Sequence, residues 1–259
     1  RLWLILSVVA NMAVLLVFIR SGHSSYDVTS LFTGKSAMLK LFPVWGAGVF
    51  TLHGISYCMD IYRKEIEPEK NFLLVSQYIC FFPCFYCGPI LRFSDMSEQL
   101  RKPVITSGKL AEGIKLMLIG FAEKLFLSDP MYEMWQHIRG VSADSLSAAC
   151  AWLGIIAFSF AFYYELRAYS HIAQGIGSML GFELPDNFDL PFMSAGFNEL
   201  IKRFACTFYS WVRDYFYRPI CRNKDSVCLW ALILSVLAGS VWYGYGRHTM
   251  LWVAFICVM

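Results

Sequence analysis

The sequence predicts an all-α integral membrane protein: a multi-span helical bundle with short re-entrant or interfacial helices. Three observations carry this. Hydrophobic residues make up 57% of the chain and charged residues only 16%, whereas a soluble domain carries roughly a quarter charged residues. The apolar residues gather into runs near the ~20 needed to cross the hydrocarbon. One long stretch, residues 165–225, mixes apolar patches with charges and with Pro185, Pro191 and Pro219. Such non-helical backbone at membrane depth is tolerated only where protein or a wet cavity shelters it.

Composition narrows the function classes. A net charge of +3 gives a nucleic acid no electrostatic hold, so none is expected as a partner. Nine cysteines lie mostly in apolar runs, where cysteine acts as a small hydrophobe. Cys84 and Cys87 have a ligand spacing, but with no second pair or nearby histidine they read as packing residues, and no metal is expected. The chain opens at Arg1 inside one apolar run and stops at Met259 inside another. It therefore reads as a single membrane domain, residues 1–259, from a longer protein.

The spans follow in order. Leu2 to Ile19 is the clearest. Leu41 to Met59 is weaker and holds Gly46, Gly48 and Gly54. Phe72 to Leu91 is interrupted by Pro83, and Leu110 to Leu127 is half polar through Glu112, Lys115, Glu123 and Lys124. Leu146 to Tyr164 is strongly apolar. Val227 to Val241 is a sixth run, and a seventh begins near Thr249. If the first five alternate, Lys and Arg concentrate after the first, third and fifth, which predicts a cytoplasmic Arg101–Lys102. Within residues 165–225, Phe197, Ile201, Phe204, Phe208, Trp211 and Tyr215 recur at helical spacing. They predict one amphipathic helix, with Ser194 placed to cap it.

Four stretches keep polar and special residues in apolar surroundings. The first is Ile55-Ser56-Tyr57-Cys58-Met59-Asp60-Ile61-Tyr62-Arg63. The second runs from Phe81 through Gly88-Pro89-Ile90 to Asp95. The third, Tyr163 to Pro191, holds Gly175-Ile176-Gly177 and Pro185-Asp186-Asn187-Phe188-Asp189. The fourth is Ser210-Trp211-Val212-Arg213-Asp214-Tyr215-Phe216-Tyr217-Arg218-Pro219. With Trp242-Tyr243-Gly244 these stretches resemble, in order and spacing, the bacterial branch of the membrane-bound O-acyltransferases. That branch includes the alginate O-acetylation protein and the D-alanyl transfer protein of teichoic acid synthesis.

The resemblance implies transfer of a small acyl group, such as acetyl, to a hydroxyl of an envelope polysaccharide, polymer or lipid. It implies an acyl donor as co-substrate, acyl-CoA or an acyl-carrier protein, on the cytoplasmic side and an acceptor on the outer side. It also implies a bacterial inner membrane, with other envelope-modification proteins as partners.

The departures fall on chemistry. The family's near-invariant histidine falls on Tyr243, and a second family histidine falls on Ala205. Two acidic positions fall on Glu165 and His171, with Arg167-Ala168 between them in place of a Ser-Gly pair. Imidazole is the side chain suited to take a hydroxyl proton near neutrality. Tyrosine, with pKa ~10, is a poor base but a serviceable hydrogen-bond donor to an oxyanion. Tyr243 thus marks either a reaction centre or an aromatic belt with Trp242 and Tyr245. His248 is a candidate replacement base, although five residues on it faces poorly for that role. Glu165 and His171 read as a charge pair, with Arg167 competing for Glu165. Asn187, Arg213 and Asp214 are candidates to line the site or to brace it, Asp214 pairing with Arg213 or Arg218. The other class of function is a non-enzymatic scaffold that keeps the fold without the histidines.

Overall fold

The computed structural model describes residues 6–11, 13, 47–85, 88–142 and 145–221, and among these every regular element is helical. We number the helices α1 (Ala47–Arg63), α2 (Phe72–Ile79), α3 (Phe93–Arg101), α4 (Ser107–Ala122), α5 (Asp129–Arg139), α6 (Ala148–Met179), α7 (Phe197–Arg203) and α8 (Cys206–Val212). Residues 6–11 are also helical, and the Asn11 carboxamide lies 3.0 Å from where a Cβ on Gly54 would stand.

The centre of the fold is a helical hairpin. α4 runs through a π-helical segment, Glu123–Ser128, into α5 without a break. At 1.5 Å per residue this arm is ~50 Å long, and α6 with its 32 residues is ~48 Å. Both exceed the ~30 Å hydrocarbon. α6 is also the one described helix long and apolar enough to cross a membrane by length and composition. Threonine and serine caps open the arms: Thr106 accepts from the Lys109 amide and Ser147 from the Cys150 amide.

Glycines let the arms touch. A Cβ on Gly175 would stand 2.6 Å from the Gly113 carbonyl oxygen, and one on Gly120 would stand 2.6 Å from that of Ala168. Small residues at such contacts are how membrane helices pack without a hydrophobic drive between them. α5 adds an amphipathic face. Met131, Met134, Trp135 and Ile138 are half-buried, while Tyr132, Glu133, Gln136 and His137 are exposed. His137 lies in the last turn of this helix.

Two spans differ from expectation. Phe72–Leu91 is not one continuous helix: α2 has 8 residues, ~12 Å, too short to cross. The chain then passes a 3-10 turn at Phe82–Cys84 and an extended segment before α3. Pro83 and Gly88-Pro89 prevent a longer helix. Consequently Glu69, before α2, ion-pairs with Arg101 at the end of α3, so both loops lie at one end. The Asn71 amide and the Arg101 guanidinium hold the Glu69 carboxyl below the usual carboxylate range. The second difference is that α6 does not stop near Tyr164. It continues through residues 165–179, so the irregular region begins after Met179.

That end of the molecule gathers Arg63, Lys64, Lys70, Arg101, Lys102 and Lys109, with Gly181 and Glu183 bonded to Lys109. The far end of the hairpin has Arg139. The positive-inside tendency would put the basic end in the cytoplasm, and an α2 of this length would then enter and leave on one side.

Two measurements check this arrangement. Single cysteines at positions 70, 102 and 139 of the full-length protein, with its own reactive thiols replaced, are exposed to an impermeant thiol reagent in intact cells. Positions 70 and 102 should both be protected and position 139 labelled; labelling at 70 alone would mean that α2 crosses. For the hairpin, Gly175→Ala should lower the apparent Tm, because overpacking a tight contact costs ~1–3 kcal/mol. Gly108→Ala, whose Cβ would meet only Thr106 Oγ1 at 3.9 Å, should leave Tm unchanged or raise it. Equal effects would refute the close approach.

Candidate functional site

The four motif stretches, distant in sequence, meet around the irregular backbone. The segment Gly88–Arg92 is non-helical inside the protein, so side chains must satisfy its polar groups. The Ile90 amide donates to Thr207 Oγ1 at 3.1 Å, and the Leu91 amide donates to His53 Nε2 at 3.1 Å. The Leu91 carbonyl accepts from the Tyr78 hydroxyl at 2.9 Å. His53 therefore carries its proton on Nδ1, which has no partner among the described residues. It is fully buried, stacked on Tyr78 with centroids 5.0 Å apart. Gly88 is required here, since a Cβ would stand 2.5 Å from the Cys84 Cα and 3.1 Å from the Ala173 Cβ. Cys84 is buried and Cys80 exposed, while Cys87 lies outside the described residues.

Asn187 joins the third stretch to the start of α8, the helix that leads into the fourth. Its side-chain oxygen accepts from Thr207 Oγ1 at 2.6 Å, and its carbonyl accepts from the Cys206 amide at 2.7 Å. Thr207 thus donates to Asn187 and accepts from Ile90, which uses both capacities of the hydroxyl. Gln174 on α6 holds the same loop through the Pro185 carbonyl at 3.0 Å and Asp186 at 2.8 Å. Aromatic rings fill the other side: Tyr163 packs edge-on against Phe188 and Phe192, and Phe188 against Phe204. The role of Thr207 had no signal in the sequence beyond its distance from Asn187.

The amphipathic stripe is not one helix. α7 ends at Arg203, and Ala205 takes φ +53°, a left-handed conformation, before α8 begins. Ala205 serves as the turn that brings Cys206 and Thr207 to Asn187. Ser194 does not cap α7: its hydroxyl donates to the Pro191 carbonyl at 2.6 Å, and Gly196 is the N-cap. The Glu199 carboxylate accepts from the Ala195 amide and pairs with Arg203, which together hold it below the usual carboxylate range.

Asp214 is the polar hub. Buried on a π-helical turn, Arg213–Tyr217, it accepts from Arg213 Nε at 2.9 Å and Arg218 Nη1 at 3.0 Å, and also from Arg92. Arg63 Nη2 donates to its carbonyl at 3.0 Å. The neighbouring Tyr215 hydroxyl donates to Asp60 Oδ2 at 2.8 Å. Asp60 and Arg63 come from the first stretch, Arg92 from the second and Asp214 from the fourth.

Glu165 and His171 do not pair with each other. Glu165 accepts from Lys124 Nζ at 2.6 Å and Ser128 Oγ at 2.8 Å, and Lys124 also reaches Asp129 at 2.5 Å. His171 Nδ1 lies 2.7 Å from Glu123, and Arg167 pairs with Glu123 at 3.2 Å rather than with Glu165. The physical reason is helix register. Both sets of partners stand on facing arms of the hairpin, and the π-segment rotates Glu123 and Lys124 toward different turns of α6. Tyr243 and His248 lie outside the described residues.

Comparison with known proteins agrees with the convergence of these motifs. The family description "MBOAT, membrane-bound O-acyltransferase family" matches residues 2–259. The Pseudomonas aeruginosa protein named "Probable alginate O-acetylase AlgI" is 30% identical over 260 residues, covering 96% of this chain and 49% of that protein. A Helicobacter pylori peptidoglycan O-acetyltransferase is 26% identical, covering 97% of this chain and 53% of its own. A Streptococcus thermophilus teichoic acid D-alanyltransferase is 23% identical over 77% of this chain and 51% of its own. The chain spans about half the length of these curated relatives. A match along essentially the whole chain, with the motif residues gathered at one place in the fold, assigns this chain to the membrane-bound O-acyltransferase family.

Proposed function

We propose that the protein containing this chain transfers a small acyl group to a hydroxyl of a cell-envelope polymer or lipid in the bacterial inner membrane. The observation that carries the reading is the meeting of all four described motif stretches around Asn187, Thr207 and Asp214 in a chain of this family. Named relatives act on alginate, peptidoglycan and teichoic acid, so the proposed acceptor class is an envelope polymer. The donor is a cytoplasmic acyl thioester, acyl-CoA or an acyl-carrier protein, with partner proteins of the envelope machinery on the outer side.

In this reading Asn187, Arg213 and Asp214 hold the frame, and Tyr243 stands where the reaction centre of relatives carries histidine. The hydroxyl of the acceptor attacks the thioester carbonyl, its proton leaves to a base, and the thiol departs. Phenol is protonated near pH 7, so Tyr243 serves as a donor to the developing oxyanion and not as the base. Ala205 in the second histidine position favours a second reading, a non-enzymatic subunit that binds donor or partners in an envelope complex.

Donor-dependent acylation by the purified full-length protein, measured from pH 6 to 9, separates them. The expected result is weak turnover that Tyr243→His raises, because an imidazole base is commonly worth ~10²–10⁴ in rate. The gain should fall short of that, since members of a catalytic unit are not additive. Robust turnover abolished by Tyr243→His would make tyrosine the working residue. No turnover in either protein would favour the scaffold.

A further inference from the structure

The Asp214 hub holds more positive charge than its role as a brace requires. Arg92, Arg213 and Arg218 all reach the one carboxylate, and Arg63 reaches its backbone carbonyl. The Arg63 and Arg92 guanidinium carbons lie 5.3 and 5.9 Å from the centroid of the Tyr215 ring. Four guanidinium groups are thus gathered within a few ångströms. The acids nearby do not neutralise them at contact. Glu65 approaches Arg63 only to 3.9 Å, Asp60 accepts the Tyr215 hydroxyl, and Asp95 accepts from Ser94. Among the described residues Asp214 is the one carboxylate in hydrogen-bond contact with Arg92, Arg213 and Arg218, and Arg63 has none.

A carboxylate offers about four lone-pair positions, whereas each guanidinium offers five N–H donors. The Arg92, Arg213 and Arg218 contacts already fill Asp214. The cluster is also accessible: the Arg213 and Arg218 side chains are 41% and 65% exposed, against 9% for Asp214. Arg63 is the last residue of α1. Arg92 precedes α3, whose exposed face is Ser94, Asp95, Glu98 and Arg101. Planar forks of guanidinium groups match phosphate oxygens and bind them bidentately.

We propose that Arg63, Arg92, Arg213 and Arg218 form a binding site for a phosphate group at the cytoplasmic membrane edge, with Asp214 holding the guanidinium groups in place. The phosphate comes either from the headgroup of an anionic phospholipid of that leaflet or from a soluble nucleotide-bearing thiol such as coenzyme A. The second source rests on the acyl-transfer reading; the first does not.

The test uses the full-length protein in nanodiscs and reads binding and Tm, so it is independent of turnover. In pure phosphatidylcholine discs, coenzyme A is titrated. In parallel, phosphatidylglycerol replaces a third of the phosphatidylcholine, and retained lipid and Tm are measured. Variants are Arg218→Gln and Arg213→Gln, with Lys202→Gln, an exposed cation on α7, as the charge control. One of the two ligands should bind or stabilise the wild type, at least fivefold more weakly in Arg218→Gln and Arg213→Gln and unchanged in Lys202→Gln. Added salt should weaken it. Phosphatidylglycerol dependence alone assigns the lipid source, and coenzyme A binding alone assigns the thiol. Should Arg213→Gln not fold, Arg218→Gln decides, because Arg218 makes a single ion pair on the exposed side. Indifference of the wild type to both ligands, or an equal loss in Lys202→Gln, overturns the proposal; so does unaltered binding in Arg218→Gln.

Discussion

A polypeptide that leaves helical geometry inside a membrane protein must find partners for its freed backbone groups, and the rest of this fold depends on how residues 88–92 meet that demand. An unpaired amide away from water costs several kcal/mol. Three side chains answer: His53 from α1, Tyr78 from α2 and Thr207 from α8. Each comes from a different element, so satisfying one short segment fixes three helices relative to one another. Thr207 in turn holds Asn187, which fixes the second irregular segment. His53, a conspicuous histidine in an apolar run, is explained by this duty as an acceptor for a backbone amide.

Much of this was legible in the sequence, and the boundary of legibility has a physical cause. The apolar runs announced α1, α4 and α6, because lipid imposes length and composition on any crossing helix. The same criterion misread Phe72–Leu91, where Tyr78, Phe81, Cys84 and Leu91 are buried against Phe93, Met96 and Phe182 while Phe72, Leu73 and Phe82 stay exposed. Hydropathy does not distinguish those two surroundings. Charge partners were harder still. Glu165 and His171 lie six residues apart on one helix, on different faces, and which residue of the facing arm each meets is decided by the register of α4 against α6, set by contacts between Gly113 and Gly175 and between Gly120 and Ala168. The left-handed turn at Ala205 carried no glycine or asparagine to announce it.

The two charge networks differ in kind. The one on the hairpin, Lys124 with Asp129 and Glu165, and Glu123 with Arg167 and His171, is nearly balanced in sign and side chains are only partly exposed. Pairing of this sort lets charged residues reside at membrane depth, and removing one partner leaves an uncompensated charge, which is worse than never having had the pair. It is a structural lock between α4 and α6. The network at Asp214 has more guanidinium groups than carboxylates in contact, and its Arg213 and Arg218 side chains are more exposed than the carboxylate they share.

These contrasts bear on how the motif segments are held. Gly88 packs against Cys84 of the 3-10 turn, Asn187 is engaged by Thr207 and Cys206, and Asp214 binds three arginines. Ala205 itself occupies a backbone conformation that costs a non-glycine residue ~1–2 kcal/mol, and the surrounding bonds of Cys206 and Tyr209 hold it there. A strained turn and like charges held close together both cost stability, so each must be held by its surroundings. The Cys206–Asn187 bond does this for the turn, and the Asp214 carboxylate does it for the arginines, which places the motif segments at two neighbouring points of one frame.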